Sequence, residues 1–146
     1  MGKLNRMKVK IKRLDNNFKF EGDDNYGHSL TMDAGKDLGG NNDGFSPMQL
    51  LILGLGGCTG IDIVMILKKQ KIELKDFEIQ IEANKPKDKT PSLWEDIQIH
   101  FSLVGDLEVG KVKRAIDLSM EKYCSVAQTL MSAGAKITYT YKIHTK

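Results

Sequence analysis

The chain contains only two cysteines among 146 residues, and each sits in a local sequence that could do thiol chemistry. Cys58 lies within "LGLGGCTGIDIV", residues 53–64, where Gly54, Gly56, Gly57 and Gly60 surround it in an apolar run of helical character. Each glycine is about 0.8–1.0 kcal/mol worse than alanine in a helix interior, so roughly 3–4 kcal/mol of propensity is given up beside one thiol. A face of small residues around a thiol implies close approach by backbone or ligand. Cys124 precedes "SVAQTL", residues 125–130, in which Ser125 and Gln128 have the capping-box spacing. A thiol flanking a helix start is favoured as thiolate, whereas Cys58 lies about three turns inside its helix, beyond the reach of the dipole. Local physics therefore ranks Cys124 as the more easily ionised thiol, unless tertiary neighbours of Cys58 intervene. Asp62, four residues after Cys58, shares its helix face, and a bare carboxylate there raises the thiol's pKa.

Buried free cysteines are common and mostly inert, but the glycines weigh toward a reactive site. Other readings of the glycines fail. "GLGGCT" carries Thr59 where the dinucleotide fingerprint needs its last glycine, and it lies within a helix rather than after a strand. No Walker Lys-Ser/Thr follows. His28, His100 and His144 are isolated, and no C-x-x-C or H-x-x-x-H spacing occurs, so no metal site is expected. The net charge of +3 is spread as scattered lysines. The clusters "KKQK" (68–71) and "KPKDK" (85–89) lack interleaved aromatics, and no nucleic-acid partner is expected. "MGKLNRMKVKIK" has no apolar h-region of a secretory signal. The uncharged run Leu50–Ile61 ends at Asp62, short of the ~20 residues that span a bilayer. The expectation is a cytoplasmic protein with no membrane partner, in a compartment where cysteine pairs are more often catalytic or redox-active than structural.

The elements that must hold these thiols follow from periodicity. Residues 1–146 are most simply one domain. Met7, Val9 and Ile11 alternate with lysines as a half-buried strand, and Phe18/Phe20 and Leu30/Met32 mark two more, a three-stranded meander. The polar loop 33–46 is long enough to be either functional or a linker. Ser46 caps a helix with Pro47 at its first position, and the apolar pattern runs to Leu67. That helix is apolar on nearly every face and must be surrounded by protein. Strands over 77–83 and 97–103, a helix over 108–123 and a last strand over 137–143 complete the chain. The fold class is α+β in the order βββ-α-ββ-α-β, with antiparallel sheets on a buried central helix. One protomer can hardly cover such a helix, which predicts an obligate two-fold homodimer with the Gly54–Gly60 face near its interface.

Taken together, "LGG…SPMQLLILGLGGCTGIDIV" and, 66 residues beyond Cys58, "YCSVAQTL" resemble the osmotically inducible protein C / organic hydroperoxide resistance (OsmC/Ohr) family over nearly the whole chain. The resemblance implies an intertwined homodimer with active sites at the subunit interface. It also implies a peroxidase cycle: Cys58 attacks an organic hydroperoxide and becomes a sulfenic acid, Cys124 condenses with it to a disulfide, and an external thiol or dithiol reductant reopens the bond. No bound cofactor is implied. These roles reverse the ranking from local dipoles. The best-understood members carry an arginine that stabilises the thiolate and a glutamate ten residues before the first cysteine. Here that glutamate position is Met48, with Gln49 beside it, and Arg13 is the nearest candidate arginine. Gln49, Asp62 and Arg13 are therefore the candidate supporting residues, and "SPMxLL…GGCTxID" marks a subgroup with Asp62 a candidate member of its signature. The competing reading is a non-catalytic or weakly active relative that serves as a thiol redox sensor or binds a small apolar ligand.

Overall fold

The computed structural model describes residues 2–145, which form two compact units, one up to Leu50 and one from Leu51 on. The first holds an antiparallel meander of β1 (Val9–Arg13), β2 (Phe20–Asp24) and β3 (Ser29–Met32), with Val9 opposite Asp24 and Phe20 opposite Met32. Asp24 shapes the β2–β3 turn, its carboxylate accepting from the N–H groups of Tyr26 and His28. All three strands fall where the alternation placed them, but β1 differs in burial. All five of its residues are exposed in the single chain, Val9 and Ile11 included, rather than half-buried. Alternation identifies an apolar face; it does not say whether the same chain covers it.

The loop 33–46 is neither a floppy linker nor unstructured. Buried Asp33 accepts hydrogen bonds from the N–H groups of Ala34 (2.8 Å), Asn41 (3.2 Å) and Asp43 (3.1 Å). The loop then returns to the end of β3, where Phe45 N–H donates to the Thr31 carbonyl at 3.0 Å. A Cβ on Gly44 would fall 2.5 Å from that carbonyl oxygen, so glycine is required there. The donated N–H groups, Asp43's above all, hold the Asp33 carboxyl below its ordinary pKa. A depressed folded-state pKa stabilises above the unfolded value and is lost as pH falls through the folded one. Amide exchange at Asn41 and Asp43 is therefore expected to quicken as pH drops below the usual carboxylate range, after correction for intrinsic rates. Asp33→Asn should give the same loosening at pH 7, because an amide turns one acceptor oxygen into a donor facing those N–H groups.

The second unit is built on α1 (Pro47–Lys69), which enters it at Leu51, and on a sheet of β4 (Asp76–Asn84), β5 (Asp96–Val104) and β6 (Lys136–His144) in the order β4-β5-β6. Two features depart from the sequence reading. β6 runs parallel to β5, Asp96 facing Lys136, so this sheet is mixed rather than antiparallel. A helical crossover instead of a hairpin joins the two, which is what a parallel pair needs. The helix expected over 108–123 is α2 (Val109–Leu118) followed by one π-helical turn, Ser119–Tyr123, and a separate α3 (Ser125–Ser132) then begins beyond Cys124.

The core comprises the inward face of β5 (Ile97, Ile99, Phe101, Leu103), the Val112/Ala115/Ile116 stripe of α2, and one stripe of α1. That α1 stripe is Leu55, Thr59, Ile63 and Leu67, four apart, as one helix face demands. α1 is thus buried on one side only, contrary to the expectation of a helix enclosed on nearly every face. Gly56 and Gly60 explain part of the glycine cost. A Cβ at Gly60 would sit 3.0 Å from Ile79 Cδ1, and one at Gly56 3.3 Å from Ile81 Cδ1, so absent side chains let β4 pack close. Gly54 and Gly57 face open space, with nothing within 4 Å of a Cβ added to either. They belong to an exposed apolar stripe with Leu53, Ile61 and Met65. With 23 residues, α1 is also long and apolar enough to cross a membrane by length and composition alone.

Candidate functional site

Cys58 and Asp62 stand one turn apart on α1, each half-buried, between its buried and open stripes. Opposite them the chain leaves α2 through the π turn. There Cys124 N–H donates to the Ser119 carbonyl at 2.8 Å, a five-residue step that widens the helix locally. Residues five apart in a regular α-helix point about 140° apart. The wider turn reduces that angle, and both Ser119 and Cys124 face α1. Cys124 then leaves the helical region (φ −76°, ψ 102°) and caps α3, its sulfur accepting from Ala127 N–H at 3.3 Å. Ser119 Oγ donates to Asp62 Oδ2 at 2.9 Å. One carboxylate oxygen of Asp62 and the sulfurs of Cys58 and Cys124 all lie within 4.8 Å of one another. Sulfurs this close reach disulfide bonding distance, ~2.05 Å, through modest side-chain movement.

The electrostatics reverse the ranking read from the sequence. Cys124 does take the helix-start donor expected of it, and Ala127 N–H lowers its pKa. Burial outweighs that donor: the side chain is wholly inaccessible, and desolvation, aided by Cys58 and by the Asp62 charge, pushes the thiol up to about 12. Cys124 is the protonated, sequestered sulfur, and Cys58 is the one with exposed surface. Lifting a thiol from about 8.5 to about 12 reduces its thiolate fraction near neutrality by roughly 10³. Alkylation of reduced protein with iodoacetamide at pH 8 is therefore expected to label Cys58 first. Cys124 should react at least about a hundredfold more slowly in native than in denatured protein, read by peptide mass spectrometry.

The other two candidates are engaged locally in the first unit. Gln49 and Ser46 form a reciprocal capping box, Ser46 N–H donating to Gln49 Oε1 and Gln49 N–H to Ser46 Oγ, both at 3.2 Å. Arg13 Nε donates to the Asn17 carbonyl at 2.9 Å. The structure thus gives Gln49 and Arg13 roles in capping and turn formation, and it gathers Cys58, Asp62 and Cys124. Ser119 was not singled out in the sequence; its one signal was a hydroxyl inside the apolar stripe of a helix. The gathering of two thiols and a carboxylate also assembles a donor set that chain spacing hid, since metal-ligand patterns were sought only over short separations.

Comparisons with known proteins bear on this geometry. The family model described as OsmC-like protein matches residues 40–140, which include both cysteines. The protein YhfA of Escherichia coli (strain K12) is 36% identical over 138 residues, covering 94% of this chain and 98% of YhfA. Among solved structures, a hypothetical protein from Aquifex aeolicus VF5 superimposes with a TM-score of 0.83 at 28% identity, covering 98% of this chain and 99% of that one. An organic hydroperoxide resistance protein OsmC from Legionella pneumophila matches with a TM-score of 0.67 at 18% identity, covering 98% and 99%. At that identity the last likeness is one of fold.

Proposed function

This chain belongs to the OsmC-like protein family, and from that premise we propose that it is a thiol-dependent peroxidase that reduces organic hydroperoxides to alcohols. The observation that carries the reading is the meeting of two thiols from positions 66 residues apart, one half-exposed and one buried, within 4.8 Å. The Cys58 thiolate attacks the outer oxygen of the hydroperoxide, the O–O bond breaks, and the alkoxide leaves as alcohol. Cys58 is then a sulfenic acid. Cys124 condenses with it, releasing water and forming the disulfide, which an external thiol or dithiol reopens by exchange. The desolvated position of Cys124 suits a resolving thiol, which must stay protonated and unreactive until a sulfenic acid forms beside it. A reducing cytoplasm would keep both thiols ready, and no bound cofactor takes part. The relative from Legionella pneumophila that bears the name organic hydroperoxide resistance protein is in keeping with this substrate class.

The working form is a homodimer. The exposed α1 stripe of Leu53, Gly54, Gly57, Ile61 and Met65 is apolar and unpartnered in one chain. Beside it an open groove of about 750 Å³ runs along Gly56, Gly57, Gly60, Phe77 and Ile79. Apolar surface on this scale favours a second copy over water. The decisive experiment mixes reduced protein with cumene hydroperoxide and dithiothreitol, and follows protein thiols and dithiol consumption together. Sustained consumption supports the peroxidase. A single oxidation without turnover would establish the sensor instead, and no oxidation at all would leave the apolar-ligand reading.

A further inference from the structure

We propose that Asp62, held by the Ser119 hydroxyl, is the proton relay of the disulfide-closing step, carrying the Cys124 proton to the departing oxygen. This rests on the peroxidase reading for its oxidant, but the relay itself belongs to the thiol pair. Cys124 has no exposed surface, so water is poorly placed to take its proton. The group that can take it is the Asp62 carboxylate, within 4.8 Å of both sulfurs. Ser119 Oγ–H occupies Oδ2 of that carboxylate at 2.9 Å, which fixes the side chain's rotamer and leaves Oδ1 free to receive a proton. The π turn matters here because it presents Ser119 and Cys124 to α1 together.

The step balances as follows. As the Cys124 sulfur attacks the Cys58 sulfenic sulfur, its electron pair forms the S–S bond and its proton passes to Asp62. The S–O bond breaks with its pair on oxygen, and Asp62 returns the proton to that hydroxide, which leaves as water. Cys124 is oxidised, the sulfenic sulfur is reduced, and Asp62 ends as it began. Burial holds the Cys124 thiol up to about 12, so unassisted thiolate is scarce near neutrality. The carboxylate is a weak base for such a thiol, but hydroxide is a far stronger proton acceptor, so transfer through Asp62 is downhill overall. On its other side Asp62 lines an open cavity of about 480 Å³ together with Lys69 and Tyr123, through which the water can leave. The titratable groups around Asp62 are thus Cys58 on its own helix, Cys124 across the site, and Lys69 and Tyr123 at the cavity.

The test measures the rate of disulfide closure in wild type, Asp62→Asn, Asp62→Glu and Ser119→Ala, each first shown folded by circular dichroism. Fully reduced protein is driven once with cumene hydroperoxide and separately with diamide, which oxidises a thiol pair without hydroperoxide chemistry. Asp62→Asn is expected to slow closure about 10²-fold or more at pH 7, within the usual worth of a positioned acid–base group. Its rate should climb about tenfold per pH unit from 7 to 9 as hydroxide replaces the relay, while wild type varies far less. Asp62→Glu should recover part of the rate. Ser119→Ala should fall between wild type and Asp62→Asn, with a pH profile steeper than wild type, which a merely structural loss would not produce. Closure in Asp62→Asn within about threefold of wild type, or with an unchanged pH profile, overturns the relay. A protein inert to hydroperoxide that closes normally with diamide only when Asp62 is present would overturn the peroxidase reading and keep the relay.

Discussion

Cys58→Ser is expected to abolish hydroperoxide turnover, lowering it by more than about 10³-fold, the scale of losing a covalent nucleophile. A serine hydroxyl ionises far less readily than a thiol, and its oxygen cannot pass through a sulfenic state. The fold should survive, because the two side chains differ by one atom at a half-buried position. Cys124→Ser should behave differently. Its first oxidation proceeds, closure cannot, and a sulfenic acid persists at position 58, where dimedone traps it for mass spectrometry. The steady state with a dithiol then depends on direct attack by the reductant on Cys58. If the dimedone adduct of the wild-type protein appears on Cys124 instead, the two sulfurs have exchanged roles, and the helix-start donor from Ala127 outweighs burial after all.

Ile61→Lys is expected to convert a dimer into monomer at micromolar concentration and to remove activity with it. Ile61 is 68% exposed in the single chain, on the stripe shared with Gly54 and Gly57. Full burial of an isoleucine contributes about 1.5–3 kcal/mol. A two-fold interface carries the substitution twice, so about 3–6 kcal/mol is lost before the cost of burying lysine. At 1.4 kcal/mol per factor of ten, dissociation strengthens by roughly 10²–10⁴-fold. Gly57→Leu probes the same face through bulk. A side chain there meets nothing in its own chain, so its effect should fall on assembly rather than on the protomer's packing. Sedimentation of the wild-type protein as a stable folded monomer at micromolar concentration would remove the dimer, and with it the account of Gly54 and Gly57. A dimeric wild type should bury more than about 2,000 Å² in total.

Much of the molecule was legible in the chain because its signals are local. Ser46 and Pro47 announced the start of α1 and the alternation of Phe77, Ile79 and Ile81 announced β4, since capping and side-chain period depend on neighbours in sequence. The pairing of "GGCTGID" with "YCSVAQTL" named the two thiols that the fold brings together. Strand direction was not legible. A strand's period is the same whether it runs with or against its neighbour, so only the crossover through α2 and α3 made β6 parallel to β5. The glycines around Cys58 looked like one feature. Tertiary packing divided them, Gly56 and Gly60 against β4, Gly54 and Gly57 onto an open face.

The thiols themselves show where local reasoning stops. The sequence determined that Cys124 begins a helix, and the Ala127 N–H does donate to its sulfur. Tertiary structure decided the outcome, because desolvation of an anion by a surrounding core exceeds the attraction of a single backbone donor. Asp62 likewise could be placed on the Cys58 face from its spacing alone. That Ser119 would reach it and that Cys124 would share its space required a π turn, and no periodicity in the sequence encodes one. Helix period and caps are properties of a few consecutive residues. Burial, and the meeting of groups 66 residues apart, exist only once the whole chain has packed.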